Sequence, residues 1–155
     1  MMKVKTMLPL LSLFVLTPTA CLAFGNNSAW SSGWNQGITE FTILGKGQSQ
    51  LYLACDSEGA SSATLIYTDM KGRQVSMDTD AQLQMKIDRN ETIDISESGS
   101  RAGENNLALA WTQLRNGTQV TVSGAHLSQT TFTLKGARQA LPEFGTHGCV
   151  SKASL

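Results

Sequence analysis

TFTLKGARQALPEFGTHGC, at Thr131–Cys149, is the stretch that decides how this chain folds. Phe132 and Leu134 alternate with threonines, which predicts a β-strand. The following residues, Lys135–Leu141, predict a short helical turn, and Pro142 ends it because proline cannot continue a helix. We expect the strand to complete a sheet, the turn to pack over that sheet, and the final cysteine to close the fold.

Residues 1–23 have the layout of a secretory signal peptide. Lys3 and Lys5 precede the apolar run Met7–Leu16, small residues follow it, and cleavage is expected after Ala23. The apolar run is shorter than the roughly 20 residues that a membrane-spanning helix needs. The sequence therefore predicts export without a transmembrane anchor.

A lipoprotein signal is the alternative interpretation of the same segment. Cys21 follows Pro18, Thr19 and Ala20. A lipoprotein signal normally carries an aliphatic residue where Pro18 lies. We therefore expect release into the periplasm rather than lipid anchoring through Cys21.

Two of the three cysteines, Cys55 and Cys149, follow the signal peptide. Because an oxidising compartment favours disulfides, we expect these two to pair, and two unpaired buried thiols are the alternative. The bond would close a loop of 94 residues. A loop of that length is expected to stabilise the fold by about 4–5 kcal/mol.

The charge balance argues against a nucleic acid partner. Removing two of the 12 basic residues, Lys3 and Lys5, leaves 10 against 12 acidic ones. Nucleic acid binding depends on clustered lysines and arginines, and here these residues are scattered. The remaining chain, 24–155, has the length of one domain.

Short alternating segments separated by turn residues predict a mainly β fold. We expect an antiparallel β-sandwich or barrel of about eight short strands, with one helix and a short C-terminal helical turn. The expected strands are Ile38–Leu44, Gln50–Cys55, Ala63–Thr68, Gln74–Met77, Leu83–Ile87, a segment around Ile93 and Ile95, Gln119–Ser123 and Thr130–Leu134.

The segment Asn106–Arg115 changes to helical periodicity. Leu107, Trp111 and Leu114 recur on one helical face, and Asn105 or Asn106 is the expected N-cap. The preceding segment, Glu97–Asn105, is expected to be a polar loop, which is where binding residues are often found.

Trp30 and Trp34 interrupt an otherwise polar lead-in, FGNNSAWSSGWNQG. One interpretation is that both indoles cover an open end of the core. The other is that they form an exposed aromatic patch that binds a partner. Both residues are therefore candidate partner-binding residues.

No catalytic or metal-binding pattern is present in the sequence. His126 and His147 are the two histidines, and no nucleophile elbow, phosphate loop or zinc-binding helix motif occurs. We predict no enzyme activity, no metal and no cofactor. Convergence of His126, His147 and a carboxylate in a pocket would favour an enzyme instead.

The C-terminal third resembles the invasion-associated locus B family of Gram-negative periplasmic proteins. The resemblance lies in WTQLRNG, QVTV and FTLKGARQAL, at residues 111–117, 119–122 and 132–141. It implies a β-sandwich that is closed by a strand and a helix, and an exported protein without catalytic activity.

Two other segments are similar to periplasmic inhibitors of c-type lysozyme. Leu51–Asp56 resembles their opening strand, Ser98–Ala102 resembles the loop that enters the lysozyme cleft, and Tyr67–Gly72 resembles their Lys-Gly motif. This resemblance implies that Ser98, Ser100 and Arg101 form an inserting loop.

The sequence thus favours an exported, non-catalytic protein-interaction module of the bacterial envelope, whose partner is another envelope protein. The alternative is an inhibitor or immunity protein that acts against a cell-wall hydrolase such as a lysozyme or an amidase.

Overall fold

The computed structural model describes residues 24–58, 62–146 and 149. The predicted signal peptide with Cys21, and also His147, lie outside these residues. Within the described residues no helix has the length and apolar character needed to cross a membrane.

The first half of the described chain forms one antiparallel sheet, called here the first sheet. Its five strands follow one another in space in the order of the sequence, so each pairs with the next. The strands are β1 Ser31–Asn35, β2 Ile38–Leu44, β3 Gln50–Asp56, β4 Thr64–Thr68 and β5 Gln74–Ser76.

The second half forms a four-stranded antiparallel sheet and two helices. The order across this second sheet is β7-β6-β8-β9. Its strands are β6 Leu83–Ile87, β7 Ile93–Asp94, β8 Gln119–Gly124 and β9 Thr130–Thr133, and the helices are α1 Arg101–Asn116 and α2 Ala137–Ala140.

The mainly β prediction is confirmed, and the two sheets remain separate rather than closing into a barrel. The described residues contain nine strands instead of about eight, because the lead-in before Ile38 includes β1. A two-residue turn at Gln36 and Gly37 joins β1 to β2. Both turn residues have positive φ, 50° and 86°, which matches the twist of a tight hairpin.

One core lies between the sheets and α1. Alternation in the strands directs Phe41, Ile43 and Leu53 inward from the first sheet, and Met85 and Val122 inward from the second. From α1, the predicted apolar stripe enters the same core.

Helix α1 is longer than predicted at its N-terminus. It spans Arg101–Asn116 instead of 106–115, and Ser100 is the N-cap instead of an asparagine. The Ser100 hydroxyl accepts a hydrogen bond from the Gly103 amide at 3.0 Å, which satisfies a donor of the first turn. The predicted polar loop is therefore largely helical.

The C-terminal end closes the fold as expected. Cys55 and Cys149 form a disulfide with their Cα atoms 4.8 Å apart. The Trp111 indole of α1 donates a hydrogen bond to the Pro142 carbonyl at 2.8 Å and contacts the ring of Phe144. These contacts hold the segment after α2 against the core.

Candidate functional site

Trp30 is part of the core, which agrees with the interpretation that it covers an open end of the core, and its binding to a partner stays a prediction. Its side chain is 6% exposed. The indole N–H donates to the carbonyl of Thr133 at 3.0 Å, and the backbone N–H donates to the carbonyl of Lys135 at 2.9 Å. The segment after β9 therefore covers Trp30 and uses its polar groups.

Trp34, in contrast to Trp30, is exposed to solvent. Its side chain is 68% exposed, the highest exposure among the large apolar side chains of the described residues. It pairs across the strands with Thr39, which is on the same face as the buried Phe41. Trp34 thus lies on the core face of the first sheet, at the margin where that face meets solvent.

An open groove lies beside Trp34, between β1 and the segment around α2. Its volume is about 430 Å³, and the buried ring of Phe41 forms its apolar floor. The lining residues are Ser32, Gly33, Trp34, Thr39, Phe41, Gln139, Ala140 and Pro142.

The outer edge of β1 has unused backbone groups. Asn35 and Ile38 close the tight hairpin, so Asn35, Gly33 and Ser31 direct their hydrogen bonds toward β2. By alternation, the amides and carbonyls of Ser32 and Trp34 point away from β2. Among the described residues no hydrogen bond reaches these outward groups.

This edge also lacks the charges that usually protect edge strands. Natural proteins place lysines, prolines or bulges on exposed edges to prevent pairing with another chain. Residues 24–39 include no charged residue and no proline. We call the outward edge of β1 together with the Trp34 groove the edge site.

Gly33 allows an aromatic ring to pack on the other face of β1. A β-carbon at this position would lie 3.1 Å from the ring of Phe24, which is closer than an ordinary contact. Phe24 is 42% exposed, so it adds a second apolar surface at the edge site.

The hydroxyls of the predicted inserting loop are hydrogen-bonded within the fold, and the binding role of this loop stays a prediction. Ser98 is 8% exposed, and both its amide and its hydroxyl donate to the Asp78 carboxylate at 2.6 Å. Ser100 caps α1 and also donates to Glu97. Arg101 is exposed on the first turn of the helix.

Asp69 is a buried carboxylate that the sequence did not single out. It accepts hydrogen bonds from the Arg73 guanidinium and from the amides of Lys71, Arg73 and Ser128. Burial alone would raise the pKa of Asp69, but these donors outweigh it and hold the pKa well below its usual range.

The surroundings of Asp69 indicate a structural role. Its acceptors are occupied by donors from the β4–β5 turn and from Ser128 in the loop before β9, so it joins the ends of the two sheets. Tyr67 strengthens the junction, since its hydroxyl donates to the Ser128 carbonyl and is also hydrogen-bonded to the Thr130 hydroxyl. The only signal in the sequence was an aspartate at the start of a glycine-containing turn.

Of the two histidines, His126 lies within the part of the chain that the structure describes. His126 is exposed in a turn with φ of 61°. No group of three or more histidine, cysteine, aspartate or glutamate side chains there could hold a metal ion.

Comparison with known proteins identifies one family. No curated protein and no solved structure matches the chain. The two resemblances noted in the sequence therefore stay predictions. A family model described as YfjT matches residues 28–141, which include every strand and both helices described above. Because this match covers more than half of the sequence, the chain belongs to the YfjT family.

Proposed function

We propose that this protein is an exported, non-catalytic interaction module of the bacterial envelope, and that the edge site binds an extended segment of another envelope protein. The observation that carries the proposal is the exposed Trp34 beside an apolar groove on an unprotected strand edge. A segment added to β1 would bond to the outward groups of Ser32 and Trp34 and place a side chain in the groove.

The residue types at the edge site support binding. Tryptophan is enriched among the residues that dominate interface energies, and it contributes most where it enters a desolvated pocket. Trp34 is large and exposed, and the adjacent groove has an apolar floor. An exposed indole costs solvation free energy that a bound partner would recover.

The disulfide supports the export part of the proposal. Disulfides persist in oxidising compartments such as the periplasm. The bond between Cys55 and Cys149 agrees with the compartment that the predicted signal peptide implies.

The alternative function, inhibition of a cell-wall hydrolase through the Ser98–Arg101 loop, has less support. An inserting loop needs free polar groups, whereas Ser98 and Ser100 are bonded within the fold. If the protein does inhibit a hydrolase, we expect substitutions at the edge site, and not Arg101→Ala, to abolish that inhibition.

The test compares three tagged proteins, each used to capture partners from a periplasmic extract: the wild type, Trp34→Ala and Leu109→Ala. Leu109 is 50% exposed on α1, so its variant controls for the loss of an exposed apolar side chain elsewhere. We expect one protein to be retained by the wild type and by the Leu109 variant and to be lost with Trp34→Ala.

The retained protein is then purified and titrated against the same three proteins by calorimetry. We expect Trp34→Ala to weaken binding by a factor of about 30, which corresponds to about 2 kcal/mol. Equal affinities for the wild type and Trp34→Ala would refute the proposed site. Turnover of a cell-wall substrate by the purified protein would refute its non-catalytic character.

A further inference from the structure

We propose that a second copy of this chain closes the edge site when no partner protein is bound. The two β1 strands pair antiparallel about a twofold axis at Gly33, and the Trp34 side chain of each copy enters the groove of the other. This inference rests on the proposed function in that it uses the same edge for protein binding.

The backbone of β1 is self-complementary in this register. An antiparallel pair centred on Gly33 places Ser32 opposite Trp34 of the partner subunit. Ser32 and Trp34 are the β1 residues whose amides and carbonyls point outward from β2. The symmetric pair therefore forms four backbone hydrogen bonds and uses the groups that one copy leaves unbonded.

The side chains on the core face are complementary in size. Ser32 is small, exposed and paired with Phe41 on β2. An indole opposite Ser32 can therefore reach the groove, which is lined by Phe41, Gln139 and Ala140. Each Trp34 fills a site that the other copy leaves open.

The opposite face of the pair has room for a close approach. Gly33 meets Gly33 of the partner subunit at a position where antiparallel Cα atoms lie about 4.5 Å apart. Neither glycine has a side chain that would collide. The Phe24 ring that covers Gly33 in each copy extends the apolar contact around the axis.

Charge and area are consistent with a dimer of moderate affinity. The side chains of residues 24–39 are uncharged, so pairing β1 with itself brings no like-charged side chains together along the strand. Covering Trp34, Phe24 and the strand edge in both copies removes on the order of 1,000 Å² from water, which is near the lower limit for a specific interface. We therefore expect a dissociation constant of the dimer in the micromolar range.

The symmetry limits assembly to two copies. Each copy uses the same strand in an isologous contact, so the interface is closed. At the other margin of the first sheet, β5 is only three residues long and offers a much shorter edge. Pairing through β1 occupies this edge in both copies, so a third copy cannot add to it.

Sedimentation equilibrium of the mature protein, from micromolar to millimolar concentration, tests the inference with two matched pairs of variants. Ser32→Pro removes an outward amide without breaking a bond to β2, whereas Ser32→Ala keeps that amide. Trp34→Ala empties the groove, and Leu109→Ala is its control. We expect a monomer–dimer equilibrium whose dissociation constant rises about tenfold or more for Ser32→Pro and Trp34→Ala, and stays unchanged for both controls.

A disulfide trap tests the register. About Gly33, Ser31 faces Asn35 of the partner subunit in a non-hydrogen-bonded pair, at a distance that suits a disulfide. We expect the double variant Ser31→Cys with Asn35→Cys to form a covalent dimer on oxidation. Ser31→Cys alone should not, because its two thiols would lie about 13 Å apart across the axis.

The outcomes separate this inference from the proposed function. A wild-type monomer at every concentration, or a dimer that Ser32→Pro and Trp34→Ala leave intact, overturns the inference. If that monomer still binds an envelope protein through Trp34, the proposed function stands alone. If Ser32→Pro proves unfolded by circular dichroism, Trp34→Ala and the disulfide trap decide.

Discussion

Trp34 and Cys55 lie in one cross-strand row on the core face of the first sheet, with Thr39 between them. Cys55 is bonded to Cys149, and the segment that leads to Cys149 begins at Pro142, which lines the Trp34 groove. The segment that begins at Pro142 forms one wall of the groove. The disulfide holds this segment to β3, which is the neighbour of β2, and Thr39 of β2 also lines the groove.

Removing the disulfide is expected to destabilise the fold strongly. For the double variant Cys55→Ala with Cys149→Ala, we expect the free energy of unfolding to fall by about 4–5 kcal/mol, because a loop of 94 residues is no longer closed in the unfolded chain. Guanidinium unfolding measures the change. A dithiol reductant should lower the free energy of unfolding of the wild type to a similar extent and leave that of the variant unchanged. Matching unfolding midpoints for the oxidised wild type and the variant would contradict the prediction.

The two N-terminal tryptophans are expected to differ in their effect on stability. Trp30→Ala should lower the free energy of unfolding by about 3–5 kcal/mol, because it leaves a cavity and an unpaired Thr133 carbonyl. Trp34→Ala should change it by less than about 0.5 kcal/mol, because the side chain is exposed. Urea unfolding of dilute protein measures both. Similar losses for the two variants would show that Trp34 is not a surface residue.

Stability is expected to fall in acid because of Asp69. Its pKa is lower in the folded protein than in the unfolded chain, so the unfolded chain binds the proton more readily. The resulting stabilisation is complete above about pH 5 and is lost as the pH falls below about 4. Asp88 acts in the same direction, since hydrogen bonds from the Thr118 hydroxyl and from nearby backbone amides lower its pKa.

Urea unfolding of Asp69→Asn at pH 7 and pH 3 checks this expectation. The variant should be less stable than the wild type at pH 7 and should lose less stability between the two pH values. Asp80→Asn, at an exposed turn position, is the control and should behave like the wild type. An unchanged acid sensitivity in Asp69→Asn would argue against the role of this carboxylate.

Neither tyrosine is expected to ionise near pH 10. Burial, and then the hydrogen bond and charge of Glu40, raise the pKa of Tyr52 to about 12. Burial also raises the pKa of Tyr67. Since the unfolded chain loses these protons more easily, stability is present below about pH 10 and is lost as the pH rises toward 12.

Ultraviolet absorbance of phenolate during an alkaline titration measures the tyrosine ionisation. The Tyr52 hydroxyl donates to the Glu40 carboxylate at 2.7 Å. We expect Glu40→Gln to lower the pH midpoint of Tyr52 ionisation, because it removes the negative charge beside this hydroxyl. Glu58→Gln, at an exposed position, provides the comparison. A phenolate signal that appears fully at pH 10 in the folded wild type would refute the prediction.

The first sheet after β1 was predictable because its signal is local. The segments Ile38–Leu44 and Gln50–Cys55 are apolar at alternate positions and are separated by turn residues. That alternation also directed Cys55 inward, toward its partner. The long-range pairing with Cys149 followed from the cysteine count and the expected compartment, and not from any local pattern.

β1 was missed because its residues have little strand preference. Ser31, Ser32, Gly33 and Asn35 favour turns and loops, and the strand forms through its pairing with β2. The start of α1 was misplaced for a related reason, since Asn105 and Asn106 resembled an N-cap, whereas the N-cap Ser100 lies more than one helical turn earlier.

The edge site could not be derived from sequence because it depends on tertiary contacts. Trp30 and Trp34 occur in similar polar surroundings along the chain. The segment after β9 covers one and leaves the other exposed. Likewise, the Ser98 hydroxyl is hydrogen-bonded to Asp78, which is distant in sequence.

The connectivity of the two sheets sets an order of assembly. Each strand of the first sheet pairs with its sequence neighbour, so the sheet requires only short loop closures. The central pair of the second sheet, β6 with β8, must instead bring together strands separated by residues 88–118, including the whole of α1. The first sheet can therefore form early as a template. The edge of β1 is then exposed before the C-terminal segment packs against the first sheet and forms the groove.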